Sequence, residues 1–280
     1  VGSEMCIRDR RGSSITLGII PMGSGNDYAR AHGIPLRNTG EAVTLLKSGV
    51  DRRVGAMRID GAPAPALPHY PSPAPTEWDG AADEDCMVRR WAFLESDGGT
   101  TSDVSRRKTL GQGKHIRGQM KYTYLGIKSI FGWKKQDGWL KVDDVEMGRT
   151  DMSGLYTTIM TQTFGGGFRV APGMCVTQDT MSINLDTGLS KSQMLRIMGP
   201  LKKGTHVGKW GISHNPGTRL ELRNIDENDQ PSNVPHDPPM WVQVDGEPCL
   251  MTPAIIQYVP DQLTVRGAQS IPCLLYTSPS

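Results

Sequence analysis

No run of apolar residues in this sequence approaches the roughly 18–20 needed to cross a bilayer, and no signal-peptide pattern is present. Any membrane contact is therefore expected to be peripheral, with the chain itself cytoplasmic. Cysteine is scarce. Apart from Cys6 and Cys273 near the ends, only Cys86, Cys175 and Cys249 occur, widely spaced and odd in number. They match neither a metal-ligand spacing nor a disulfide framework, which points to a reducing compartment. The 6 histidines are scattered and none pairs at ligand spacing, against a histidine-built metal centre. Excess charge is also missing: the net charge is +2, too small to argue for a nucleic-acid partner.

What is present suits one large domain or two modest ones. The 280 residues are 37% hydrophobic, enough for a core, while 33 glycines and 20 prolines imply many loops. The segments Val1–Arg10 and Cys273–Ser280 resemble translated sequencing-adapter scars, and both are left out of fold reasoning. The natural protein is expected to extend further upstream.

One stretch organises the rest. Leu17 to Ile20 reads as a short buried strand, and Pro21 ends its ladder because proline has no N–H to donate. Gly23 and Gly25 then permit a sharp turn, with Asn26 and Asp27 as caps for a helix opening at Tyr28-Ala29-Arg30. Strand, glycine turn and helix N-terminus make an anion site from free N–H groups and a positive dipole end. An ordinary loop is the alternative on these residues alone.

Further along, Gly33-Ile34-Pro35 stops the helix, Glu41–Lys47 reads as a short amphipathic helix capped by Gly49, and Arg52–Ile59 as a strand. Residues 61–87 are rich in proline (Pro63, Pro65, Pro68, Pro71, Pro73, Pro75) and read as a disordered insertion. Arg90–Leu94 resumes as a strand. Residues 119–131 suit a helix whose apolar stripe, Met120, Tyr124, Ile127 and Phe131, is expected to pack into the core. From Trp139 to Thr264 the pattern is mostly short strands, at 139–143, 155–160, 181–185, 219–222, 241–244 and 255–259, interrupted by an amphipathic helix between Gly188 and Lys203.

A second chemical candidate is Val244-Asp245-Gly246-Glu247. Strand alternation would put Asp245 and Glu247 on one face, where paired carboxylates can hold Mg²⁺ through oxygen ligands. An Asp-Gly hairpin turn with exposed acids is the alternative.

The wording Pro21-Met22-Gly23-Ser24-Gly25-Asn26-Asp27-Tyr28-Ala29-Arg30 closely resembles the Pro-x-Gly-Thr/Ser-x-Asn-Asp-Phe-Ala-Arg loop of the diacylglycerol kinase and sphingosine kinase superfamily. Val244–Glu247 matches that family's Val-Asp-Gly-Glu motif, and Phe164-Gly-Gly-Gly167 with Ala171-Pro172 resembles its Gly-Gly-Gly…Pro element. There the following Asp-Gly turn reads Asp179-Thr180 instead. Asp179-x-Met181, Gly188-Leu-Ser190 and Lys203-Gly204-x-His206 lean towards the sphingosine kinase branch. The resemblance spans roughly residues 15–60 and 88–267, and its Gly-Gly-Asp-Gly loop is not in this sequence.

That resemblance implies a phosphotransferase moving the γ-phosphoryl group of ATP to a lipid hydroxyl, a sphingoid base first and diacylglycerol second. It implies Mg²⁺ as cofactor and a lipid partner at a membrane surface. Gly23, Ser24, Gly25 and Asn26 would touch nucleotide phosphates. Arg117 and Lys121, in Arg117-Gly-Gln-Met-Lys121-Tyr, would add cations, a solvated basic helix face being the alternative. Asp245 and Glu247 would serve metal and catalysis, Glu247 assisting deprotonation of the acceptor, and Asp103 and Ser105 would bind the lipid's polar head. The implied fold is α+β: a partial α/β nucleotide-binding domain of NAD kinase/diacylglycerol kinase type at 11–60, then a larger antiparallel β-sandwich-like domain at 88–267, with a tail at 268–280. Lacking the Gly-Gly-Asp-Gly loop, this stretch alone is expected to be inactive. A soluble-substrate kinase of the NAD kinase or phosphofructokinase type and a non-catalytic interaction protein are the rival readings. A lipid-sized apolar tunnel would argue against the soluble substrate.

Overall fold

The structure is a computed structural model describing residues 15–23, 25–67, 88–152, 155–234 and 240–271. Ser24, both adapter-like ends and most of the proline-rich stretch lie outside the described residues.

The chain opens with strand β1 (Thr16–Gly18) and a one-turn helix α1 (Asp27–Ala31), which stops at Gly33 in the left-handed region. Helix α2 (Thr39–Ser48) starts because the Asn38 side chain accepts the Glu41 amide at 3.1 Å, an N-cap that satisfies an otherwise orphaned donor. It ends at Gly49, where an added Cβ would stand 2.5 Å from the Gly267 carbonyl.

Strand β2 (Val50–Pro63) runs past residue 60, where the first domain was expected to close. It does so because its partner is long. The final strand, β13 (Glu247–Gly267), pairs with β2 antiparallel from Leu250↔Pro63 to Gly267↔Val50. β13 also pairs parallel with β1 through Thr264–Arg266, so the amino-terminal segment is stitched into the same sheet as the β-rich part.

Around this spine lie β3 (Val88–Ala92), β4 (Glu95–Gly99), β5 (Asp137–Val142), β6 (Val145–Asp151), β7 (Leu155–Ile159), β8 (Met181–Leu185), β9 (Ser213–Gly217), β10 (Arg219–Ile225), β11 (Pro231–Ser232) and β12 (Trp241–Val244). The main path of the 13-stranded sheet reads β6-β5-β10-β13-β12-β4-β7-β8-β9, and its pairings are antiparallel. The sheet wraps round one core: Met57 and Ile59 from β2, Met181 and Ile183 from β8, Leu220 and Leu222 from β10 are all fully buried in a single cluster. At roughly 1.5–3 kcal/mol for each large side chain, this burial is the main stabilising contribution.

Helices α3 (Thr100–Thr109), α4 (Gln119–Gly132) and α5 (Lys191–Lys203) bring a second, smaller core of Ile130, Leu189, Met194, Ile197 and Ile212. α5 begins with a capping box between Ser190 and Gln193 and ends on left-handed Gly204. Two expectations are corrected here. The stripe Met120, Tyr124, Ile127 and Phe131 does not enter the core but is exposed, because α4 buries its opposite arc, Leu125, Ser129 and Ile130. Cys175 is disulfide-bonded, and Cys249 is buried in the main core.

Candidate active site

Beyond β1 the backbone is pinched. The Gly23 amide donates to Asn26 Oδ1 at 2.9 Å, and Asn26 Nδ2 donates back to the Gly23 carbonyl at 2.7 Å. Asn26 itself sits at φ 56°, one of the few side chains that tolerates this region. Asp27 does not cap α1. Its buried carboxylate accepts the Thr163 hydroxyl at 2.9 Å and the Gly166 amide at 2.7 Å, and pairs with Arg30. The glycine turn is thereby tied to the Phe164–Gly167 loop, although the two are more than a hundred residues apart in sequence.

A second turn faces the first. Asp245 (φ 47°) and Gly246 (φ 86°) form a tight left-handed hairpin between β12 and β13. The hairpin alternative thus holds locally, so Asp245 and Glu247 do not alternate along one strand. Nor is Asp245 an exposed acid: its two oxygens accept the amides of Phe93, Leu94 and Glu95 at 2.8–2.9 Å. Burial pushes its pKa up, against the pull of those three amides. It locks the 93–95 corner to the hairpin.

Between the turns stand charges that the sequence reading did not single out. Glu95 and Asp97 share a face of β4 and are 6% and 1% exposed. Glu95 Oε2 and Asp97 Oδ1 have no hydrogen-bond partner. Burial, reinforced by the neighbouring acids Asp97, Asp245 and Asp27, drives the Glu95 pKa well above the carboxylate range, and burial raises that of Asp97 to about 8. Lys108 of α3 reaches in to donate to the Gly246 carbonyl at 2.9 Å, and its burial lowers its pKa while Glu95 and Glu247 pull it back up. The available signal was Glu95-Ser-Asp97 itself, two acids at a period of two directly after the strand-like Trp91-Ala-Phe-Leu94.

These groups form one end of a cavity of about 230 Å³. Gly25, Asn26 and Asp27 line it together with Glu95, Asp97, Lys108, Asp245 and Gly246. Its other end is apolar: Ile130 from α4, Leu189, Met194, Ile197, Met198 and Leu201 in and before α5, and Phe164 and Phe168.

The remaining expected site residues fall as follows. Ser105 lines the cavity. Asp103 is spent elsewhere: it accepts Arg106 at 2.6 Å, Arg107 at 2.6 Å and the Ser129 hydroxyl at 2.8 Å, and although burial raises its pKa these partners outweigh it and hold it down. Arg117 is exposed just before α4, and Lys121 is half-buried in its first turn, near enough to oppose the charge on Lys108. Among the described residues no group of three or more His, Cys, Asp or Glu side chains could hold a metal ion. With Asp245 engaged by backbone, no complete metal centre forms among the described residues.

A polar nest of glycine turns and buried acids opening into an apolar pocket, on this α+β scaffold with its β-sandwich-like sheet, defines a kinase-type phosphotransferase. Residues 5–59 match the diacylglycerol kinase catalytic domain, and residues 99–267 match the YegS C-terminal NAD kinase beta sandwich-like domain. The chain belongs to the diacylglycerol kinase/YegS lipid kinase superfamily. Among relatives, it is 24% identical over 254 residues to a diacylglycerol kinase of Mycobacterium tuberculosis (strain CDC 1551 / Oshkosh), covering 91% of this chain and 70% of that protein. A Bacillus subtilis (strain 168) diacylglycerol kinase is 20% identical over 215 residues, covering 77% and 60%. The crystal structure of a diacylglycerol kinase from Bacillus anthracis str. Sterne shares the fold, with a TM-score of 0.55 at 14% identity over 91% of this chain and 68% of that one.

Proposed function

We propose that this chain carries the lipid-binding and much of the nucleotide-binding machinery of an ATP-dependent lipid kinase working at a membrane surface. The carrying observation is the single cavity lined by both turns at one end and by Ile130, Met194, Ile197, Met198 and Leu201 at the other. A phosphoryl donor and an alkyl chain need those two environments side by side, and a soluble metabolite has no use for the apolar one. Phosphoryl transfer depends chiefly on positioning and on neutralising phosphate charge. Here the amides around Gly25 and Asn26 and the Lys108 ammonium serve the second need, each charge-assisted contact being worth roughly 1.5–3 kcal/mol. Asp97, whose pKa of about 8 lies near working pH, is the carboxylate best matched to accept the acceptor hydroxyl's proton, with Glu247 behind it. When present, Mg²⁺ would come with the triphosphate and neutralise charge on it.

A sphingoid base is the preferred acceptor and diacylglycerol the second. The buried, unpartnered oxygens of Glu95 and Asp97 suit a head with an ammonium beside its hydroxyl, whereas diacylglycerol offers its single hydroxyl as the only donor. Titrating the purified chain with a fluorescent sphingosine, with diacylglycerol as competitor, tests this. Sphingosine is expected to bind more tightly, and the Glu95→Gln/Asp97→Asn double variant to abolish that preference. Equal binding of both lipids by the wild-type chain would remove the sphingoid assignment; binding of neither would remove the lipid one. For want of a Gly-Gly-Asp-Gly loop, the 280-residue chain is expected to bind without appreciable turnover; phosphorylation of sphingosine by it would refute that.

A further inference from the structure

Helix α4 has two apolar faces. Tyr122, Gly126 and Ile130 wall the cavity. The other face looks outward: Met120, Tyr124, Ile127 and Phe131 are 74%, 40%, 38% and 64% exposed. At 3.6 residues per turn these four fall within an arc of roughly 60°, so they form one continuous stripe along the helix.

The charge around the stripe is one-sided. No acidic residue occurs between Asp103 and Asp137, or between Asp186 and Glu221, in a chain whose 31 basic and 29 acidic residues otherwise nearly balance. Lys114, Arg117, Lys128 and Lys134 are exposed in the first of these segments, and Lys128 stands 5.6 Å over the Tyr124 ring. α5 adds Lys191 to the same side, because its Nζ donates to the Phe131 carbonyl at 2.9 Å. An apolar stripe framed by lysine and arginine is the signature of a helix lying in a membrane interface, its apolar side in the acyl boundary and its cations among anionic headgroups.

We propose that the α4 face is the docking surface of this chain for an anionic lipid bilayer. One helix then has the bilayer on one side and the cavity on the other, the shortest route by which an alkyl chain could leave the membrane for the site. That route rests on the lipid kinase reading; the docking itself does not.

Vesicle flotation of the whole chain tests the surface, using phosphatidylcholine vesicles with and without phosphatidylserine. The wild-type chain is expected to float with the anionic vesicles. Phe131→Glu and Ile127→Glu are expected to weaken binding at least roughly tenfold, and Lys128→Glu/Lys134→Glu to weaken it on the anionic vesicles alone. Both side chains of the first pair are exposed, so far-ultraviolet circular dichroism and melting should stay unchanged. A wild-type chain that does not float, or a Phe131→Glu chain that floats equally well, overturns the proposal. So does a wild-type dimer that Phe131→Glu converts to a monomer without any vesicle binding, for then the stripe meets a second copy. Sphingosine binding in detergent micelles separates the two readings: loss of docking leaves it intact, whereas failure of the lipid kinase reading abolishes it and leaves flotation.

Discussion

The two ends of the cavity are built by different means. The polar end is made of strands and turns, and its charges are fixed by backbone: three amides hold Asp245, Gly166 holds Asp27, and the Gly246 carbonyl holds Lys108. The apolar end is made of helix surfaces in which Met194, Ile197 and Met198 meet side chain to side chain. A sheet fixes the direction of a charge, because each strand residue is clamped on both sides. Paired helices supply adaptable volume, above all where methionine fills it. A lipid kinase site of the kind proposed, with a phosphate to orient and an alkyl chain to admit, would benefit from both.

The sharpest way to break this contrast is at Asp245. Asp245→Ala removes the acceptor for three amides in a buried corner, with an expected loss of about 3 kcal/mol, read as a melting-temperature drop of roughly 6–12 °C by calorimetry. Next comes Asp97. Its carboxyl holds a proton in the folded chain up to pH about 8, whereas the unfolded chain releases it near pH 4. Stability from that proton is fully present below pH 4 and is lost as pH rises through 8. Asp97→Asn is therefore expected to flatten the stability–pH profile across that window and to raise stability at pH 8 by about 2 kcal/mol, measured by urea unfolding at several pH values. Gly246→Ala should cost about 1–2 kcal/mol, because its φ of 86° disfavours a side chain and the new Cβ would meet Lys108 Nζ at 3.1 Å. The smallest effect is expected at the adaptable end: Met198→Ala should cost about 1 kcal/mol or less in melting, since this side chain is only partly buried, yet weaken long-chain lipids more than short ones in a chain-length binding series. Equal weakening across the series would mean that the alkyl chain lies elsewhere.

Much of the polar end was legible in the sequence because its parts are short local patterns. Gly23–Asn26 and Asp245-Gly246 announce turns by residue type, and the cavity brings Gly25 and Asn26 together with Asp245 and Gly246. Glu95, Asp97 and Lys108 were less legible: the Glu95-Ser-Asp97 alternation marks a shared face, but nothing local says that it will be buried or that a lysine 138 residues from the hairpin will lean over it. The α4 stripe was misjudged for a related reason. Periodicity shows that a helix has an apolar arc but not which arc meets the protein. Here the inward arc carries Leu125 and Ile130 together with Ser129, whose hydroxyl donates to Asp103.

Strand β13 leaves the Asp245-Gly246 hairpin at its first residue and, near its last, grips β1, the lead-in to the glycine turn. The two turns are thus yoked by one unbroken length of backbone. Parting them would mean bending a strand that is paired with β2 from Leu250 to Gly267.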